Sequence, residues 1–253
     1  MARITFLGTA ASVPTATRDN TSLLIRHRKF TLLIDCPGSI SQKLNRTGVP
    51  FQSLRRIVIT HLHPDHVYGI ISLIHTQAYL NRKIILYSTP SVFALVDRLR
   101  AAFRLDRPQF PKLEYRDVRG ETVSFATHGV RLEAIPNVHT PESFGVKLTC
   151  GKKSFFYSSD TAYRPELLEA AEPYRILIHE CTASSTYFSR YPRLFRLHTN
   201  SAQLAGFMRS RPRLTLIPVH FLLLDGKEET RIRRELDPIP RMVFPADFDT
   251  IRI

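Results

Sequence analysis

Nowhere in the 253 residues does an apolar run reach the length of a membrane-spanning helix, which argues against a helical membrane protein. The opening Met1-Ala2-Arg3-Ile4-Thr5-Phe6-Leu7 passes straight into a strand-like pattern, without the apolar stretch of a secretory signal. The expectation is a soluble, cytoplasmic chain. Cysteine is scarce: Cys36, Cys150 and Cys181 lie far apart and form no CxxC pair. That excludes a disulfide-stapled scaffold and leaves burial as small apolar groups the default. Repeats, low-complexity tracts and Ser/Gly linkers are missing as well, and the length suffices for one large core. The organisation expected is a single domain over residues 1–253.

Acidic residues are also in short supply. There are 22 Asp and Glu against 36 Lys and Arg, a formal net charge of +14. Such a balance concentrates polyanions at the surface and suits a phosphate-bearing substrate, although an ordinary solvated basic surface would look the same.

Short apolar runs bounded by polar turns predict strands at residues 4–7, 22–25, 31–34, 56–60 and 84–87. Further strands are predicted at 130–135, 143–150, 154–158, 176–179 and 214–219. Helices are predicted over 67–80, 90–103, 165–171 and 201–209; in the second, Val92, Leu95, Val96, Leu99 and Phe103 recur at helical spacing. Strands alternating with helices in two halves indicate a layered α/β domain.

The decisive segment is Ile57-Val58-Ile59-Thr60-His61-Leu62-His63-Pro64-Asp65-His66. An apolar strand ends, and three histidines and an aspartate follow within six residues. Imidazole and carboxylate suit zinc and related divalent ions. In a tight turn this spacing can direct His61 and His63 at one ion and Asp65 and His66 at a neighbour. One turn cannot complete two coordination spheres, so other ligands are required. His139, Asp160 and His220 each follow an apolar strand and can supply them, with Asp160 the natural bridging carboxylate. Each taken alone could equally be a structural polar group.

With these residues in view, the chain resembles the metallo-β-lactamase superfamily and, within it, the ribonuclease Z-like group. Phe6-Leu7-Gly8-Thr9-Ala10-Ala11-Ser12-Val13-Pro14-Thr15 is similar to that group's opening motif, and Leu33-Ile34-Asp35-Cys36-Pro37-Gly38 to the segment after it. His139-Thr140, Ser159-Asp160-Thr161, His179-Glu180-Cys181-Thr182 and Val219-His220-Phe221 fall in the group's order. The resemblance implies a four-layer αβ/βα sandwich with two divalent ions at the edge of its sheets. Zinc is expected, with manganese or iron as alternatives. It also implies His61, His63 and His139 on one ion, Asp65, His66 and His220 on the other, Asp160 between them, and a homodimer. Asp65 would bind metal and orient the attacking water, and His198, paired with Glu180, would protonate the leaving group. A carboxylate beside an imidazole raises its pKa and fixes its tautomer, as a proton donor needs. Glu180 reads alternatively as the partner of a metal-binding histidine, and His198 as a residue at a helix start. His27, His75, His128 and His179 lack such support and are read as structural.

The activity implied is dinuclear, metal-dependent phosphodiester hydrolysis, with RNA or precursor-tRNA 3′ ends as the substrate class. Ribonuclease Z proper carries a flexible tRNA-gripping arm between its third histidine motif and the bridging aspartate. Here about 20 residues separate His139 from Asp160, room for two strands and a hairpin only. A small cyclic nucleotide or cyclic phosphate is therefore the alternative substrate. Non-catalytic nucleic-acid binding is a third reading, against which the complete ligand set argues.

Overall fold

The computed structural model describes residues 2–237 and 239–253. The first half runs β1 (Ala2–Gly8), β2 (Ser22–His27), β3 (Phe30–Ile34), α1 (Ile40–Arg46), β4 (Arg56–Val58), α2 (Pro64–Val67), α3 (Gly69–Thr76), β5 (Lys83–Ser88), α4 (Pro90–Ala102) and β6 (Lys112–Asp117). The second runs β7 (Thr122–Phe125), β8 (Val130–Pro136), β9 (Phe144–Cys150), β10 (Lys153–Tyr157), α5 (Pro165–Ala170), β11 (Ile176–Glu180), α6 (Ser185–Arg190), α7 (Ser201–Met208), β12 (Thr215–Val219), α8 (Glu228–Leu236) and β13 (Thr250–Arg252).

Two sheets result, in the orders β13-β1-β2-β3-β4-β5-β6 and β12-β11-β10-β9-β8-β7. Strand alternation sets the layers. Leu23 and Ile25 of β2, Leu32 and Ile34 of β3, and Phe155 and Tyr157 of β10 point inward into the core between the sheets. Their neighbours Leu24 and Leu33 point outward and are covered by α1, α3 and α4. Phe156, Leu177 and Leu216 of the second sheet are covered likewise by α5, α7 and α8. Strands buried on both faces read as continuous apolar runs. The product is the αβ/βα sandwich.

The helix expected over 67–80 is instead divided. α2 ends at Val67, α3 begins at Gly69, and α3 stops at Thr76. The Gly69 amide donates to the Cys36 carbonyl at 2.7 Å. A Cβ at this position would lie 1.8 Å from the Pro37 carbonyl oxygen, so only glycine allows the approach. Several elements were not expected. β6 is an edge strand, polar and largely exposed, and β7 is a short strand at the edge of the second sheet. β13 has three residues and α6 six. Among the hydrophobic residues of α8, Ile232 and Leu236 are buried, too thin an apolar stripe for periodicity to show. His27, read as part of a basic turn, closes β2 and is buried.

Candidate metal centre

Topology brings the candidate residues to one edge. β4 pairs parallel with β3, so the loop after Ile34 and the loop after Val58 leave the sheet side by side. β10, β11 and β12 are likewise neighbours and parallel, so Asp160, Glu180 and His220 emerge together at their carboxyl ends. Asp35, Ser159 and His220, each just past a strand end, hold left-handed backbone (φ 60°, 52° and 63°). For non-glycine residues that conformation costs on the order of 1–3 kcal/mol and is concentrated at functional sites.

All seven sequence-predicted ligands converge. One oxygen of Asp160 lies 3.7 Å from His61 Nε2, 3.7 Å from His139 Nε2 and 3.1 Å from His220 Nε2. Its other oxygen lies 3.5 Å from His66 Nε2. Asp65 Oδ2 is 3.5 Å from His66 Nε2 and 3.7 Å from His220 Nε2. His63 Nδ1 and His139 Nε2 face each other at 3.0 Å. Donor atoms of His61, His63, His139 and Asp160 lie within 4.8 Å of one another, as do those of Asp65, His66 and His220. Asp160 stands between the two groups.

The donors fit a cation. His61 Nε2, His66 Nε2, His220 Nε2 and Asp160 Oδ1 are buried without a hydrogen-bond partner. Buried polar atoms left unpaired cost about 1–3 kcal/mol each, and four aimed into one space call for a group that satisfies them together. Burial lowers the pKa of His61, His63 and His139 despite the nearby Asp160 carboxylate, leaving imidazole lone pairs free. Burial would also lower His66 and His220, but the surrounding carboxylates prevail and raise both, His220 to about 10. Burial alone would raise Asp65; the close approach of His220 and His66 instead holds it far below the carboxylate range.

A layer of fixed partners orients these rings. His66 Nδ1 bonds Asp35 Oδ2 at 2.9 Å, His139 Nδ1 donates to the Leu197 carbonyl at 2.8 Å, and the Thr60 and Thr182 hydroxyls lie 3.2 Å from His61 Nδ1 and His220 Nδ1. Asp35, fully buried, also accepts from the Thr60 amide and hydroxyl and from the Tyr157 hydroxyl. Sequence reasoning noted Asp35 only as part of a motif. Its signal was a carboxylate ending an apolar strand beside a histidine cluster, the usual partner of a metal-binding imidazole.

His198 Nδ1 meets Glu180 Oε1 at 2.9 Å. Glu180 is fully buried and also accepts from the amides of Thr161 and Thr182 and from the Thr182 hydroxyl. Burial would lower the His198 pKa, but the Glu180 charge and hydrogen bond outweigh it and raise it. A nitrogen of His198 also lies within 4.8 Å of donor atoms of Asp160 and His220. The four histidines read as structural stay outside the cluster. His179 is buried with Nδ1 donating to the Glu180 carbonyl, His128 packs on Phe30, and His75 is exposed on α3.

The family described as Anti-Pycsar protein Apyc1 matches residues 2–208. The chain belongs to that family. It is 30% identical over 195 residues to the Anti-Pycsar protein Apyc1 of Bacillus phage 010DV004, covering 70% of this chain and 76% of that one. Similarity extends beyond the Apyc1 family to ribonuclease Z. The Bradyrhizobium diazoefficiens enzyme is 46% identical over 76 residues, 30% of this chain and 25% of its own length. That of Gloeothece citriformis is 28% identical over 257 residues, 80% of each chain. The chain thus spans about a quarter of some of these relatives and most of others. Among solved structures, the metallo-β-lactamase fold protein YhfI of Bacillus subtilis superposes with a TM-score of 0.82 at 16% identity, over 100% of both chains. The short form of human tRNase Z gives 0.73 at 19% identity, over 99% of both. At such identities the likeness shows the fold, which is that of the metallo-β-lactamases.

Proposed function

We propose that the protein is a dinuclear metal-dependent hydrolase of phosphodiester bonds. The observation that carries this is the convergence of seven metal-type donors, four of their atoms buried and unpartnered, beside a pair of buried Glu180 and half-buried His198. His61, His63 and His139 would hold one divalent ion, Asp65, His66 and His220 the other, with Asp160 bridging. Zinc best fits the imidazole and carboxylate donors, with manganese or iron as alternatives. Ions held there would supply positive charge against a phosphoryl group and allow water to ionise near neutrality.

The chain's own residues do the rest. Asp65, ionised and at the mouth of the pair, can orient the attacking water. Glu180 fixes His198 through Nδ1, leaving Nε2, which makes no hydrogen bond among the described residues, to hand a proton to the departing oxygen. The Glu180 carboxylate raises the His198 pKa, which favours retention of that proton.

The net charge of +14 favours an RNA substrate such as a tRNA 3′ end. One observation favours the second reading, a small cyclic nucleotide or cyclic phosphate. Between His139 and Asp160 stand only β9, β10 and their tight turn, with no room for a tRNA-gripping arm. We further read residues 1–253 as one domain acting in the cytoplasm as a homodimer. Among the described residues no helix is long and apolar enough to cross a membrane.

The test is turnover of metal-loaded protein on bis-p-nitrophenyl phosphate, a cyclic nucleotide and a precursor tRNA side by side. Cleavage lost on His61→Ala supports the reading. Failure to take up a stoichiometric divalent ion, or inertness towards all three substrates, overturns it.

A further inference from the structure

The metal-centre chemistry leaves a band of apolar side chains, close to its residues along the chain, without a role. Val138 adjoins His139; Tyr191, Phe195 and Leu197 lead into His198; Leu224 lies four residues beyond His220. All are exposed, from 39% for Val138 to 56% for Leu224. Exposed apolar groups beside a functional centre mark a surface that a ligand can cover.

Residues 190–197 are tied to the centre. The Leu197 carbonyl accepts from His139 Nδ1, and the His198 amide donates to the Leu194 carbonyl at 2.8 Å. Buried Phe188 packs edge-on against Phe195, with ring centres 5.1 Å apart and planes at 80°. The ring of Phe195 is thus braced from behind while its outer part remains in solvent. Arg190, Arg193 and Arg196 interleave with these aromatics, and among the described residues none comes within 4 Å of a carboxylate. An aromatic face beside unpaired guanidinium groups is the combination that holds a base and its phosphates in single-stranded nucleotide binding.

We propose that residues 190–197 form a nucleobase platform, with Phe195 stacking on the base of the nucleotide whose phosphodiester lies at the metal centre. The arginines steer its phosphates, and Tyr191 borders the base. This rests on the phosphodiesterase reading and narrows it: the substrate carries a base next to the bond that is cut.

Two readouts separate this inference from the reading beneath it. The chain contains no tryptophan, so Phe195→Trp introduces a single tryptophan, excited selectively over the tyrosines, at the platform. Adding cyclic AMP should quench it saturably, whereas the ribose 3′,5′-cyclic phosphate lacking a base should not. In turnover by metal-loaded protein, Phe195→Ala should lower the ratio of kcat/KM for cyclic AMP over the abasic diester by about tenfold. That lies within the roughly 5- to 150-fold range for a lost stacking contact, and Phe195→Trp should restore the ratio. Quenching without turnover of either diester would sink the phosphodiesterase reading and leave the platform standing. Turnover with an unchanged ratio and no quenching would overturn the platform. So would a Phe195→Ala protein that changes from dimer to monomer on gel filtration and loses activity on both substrates alike, since the band would then be a subunit interface.

Discussion

Replacing Asp35 by asparagine keeps the shape of a buried side chain and removes one charge and one acceptor. Asp35 Oδ1 accepts from the Thr60 amide at 2.9 Å, while Oδ2 faces His66 Nδ1 at 2.9 Å and the Tyr157 hydroxyl at 3.2 Å. In Asp35→Asn the carboxamide oxygen can continue to serve Thr60. Its NH2 group then points at His66 Nδ1, which must become an acceptor. The imidazole proton moves to Nε2, the atom directed at Asp160 and Asp65, where it occupies the lone pair a cation needs. Loss of such a partner costs about 10- to 100-fold in metal affinity, or roughly 1.4–2.7 kcal/mol. Asp35→Ala is the cruder change. It strands three or four buried donors at about 1–3 kcal/mol each, an amount comparable to the whole stability of a domain. The asparagine variant is therefore the informative one. Metal per chain is measured by mass spectrometry after dialysis against graded chelator, with a thermal melt to verify folding. Loss of the ion assigned to Asp65, His66 and His220 is expected at free-metal levels where the parent stays loaded. A folded variant retaining its full metal complement at every chelator concentration would refute the tautomer argument.

Three further outcomes follow from the same geometry. His198→Ala should slow turnover by about 100- to 10,000-fold, as loss of a proton donor does, while metal content stays at the parent level; a fall in bound metal would make His198 a ligand instead. Stripping the metal should lower Tm by on the order of 10 °C in calorimetry. A ligand present at a thousand times its Kd contributes about 4 kcal/mol, and each kcal/mol shifts a chain of this size by about 2–4 °C; equal melting with and without chelator would contradict a metal-stabilised centre. His179, wholly buried, has its pKa lowered chiefly by burial, so the folded state resists its protonation. Its contribution to stability is complete above about pH 6.5 and is lost as pH falls from there through the folded-state pKa, with a slope of up to about 1.4 kcal/mol per pH unit. In chelated protein, urea melts of His179→Gln should show a shallower loss between pH 7 and 5 than the parent, and parallel curves would rule the assignment out.

The linear chain determined the layers and the donors. Double-sided apolar strands such as residues 31–34 and 154–157 can only be buried on both faces, so helices had to cover two sheets. The HxHxDH run presents four donors too close together for ordinary surface chemistry. Edge and terminal elements were illegible because their signal is weak: β6 has little core to pattern it, and β13 gains its strand only by pairing with β1. What tertiary structure alone decided was proximity. Asp160, Glu180 and His220 become neighbours because β10, β11 and β12 pair in parallel, and Asp35 reaches His66 because β3 and β4 do. Periodicity records which face of a strand is buried. It carries no record of which strands lie side by side, because that order depends on pairing between segments far apart in the chain.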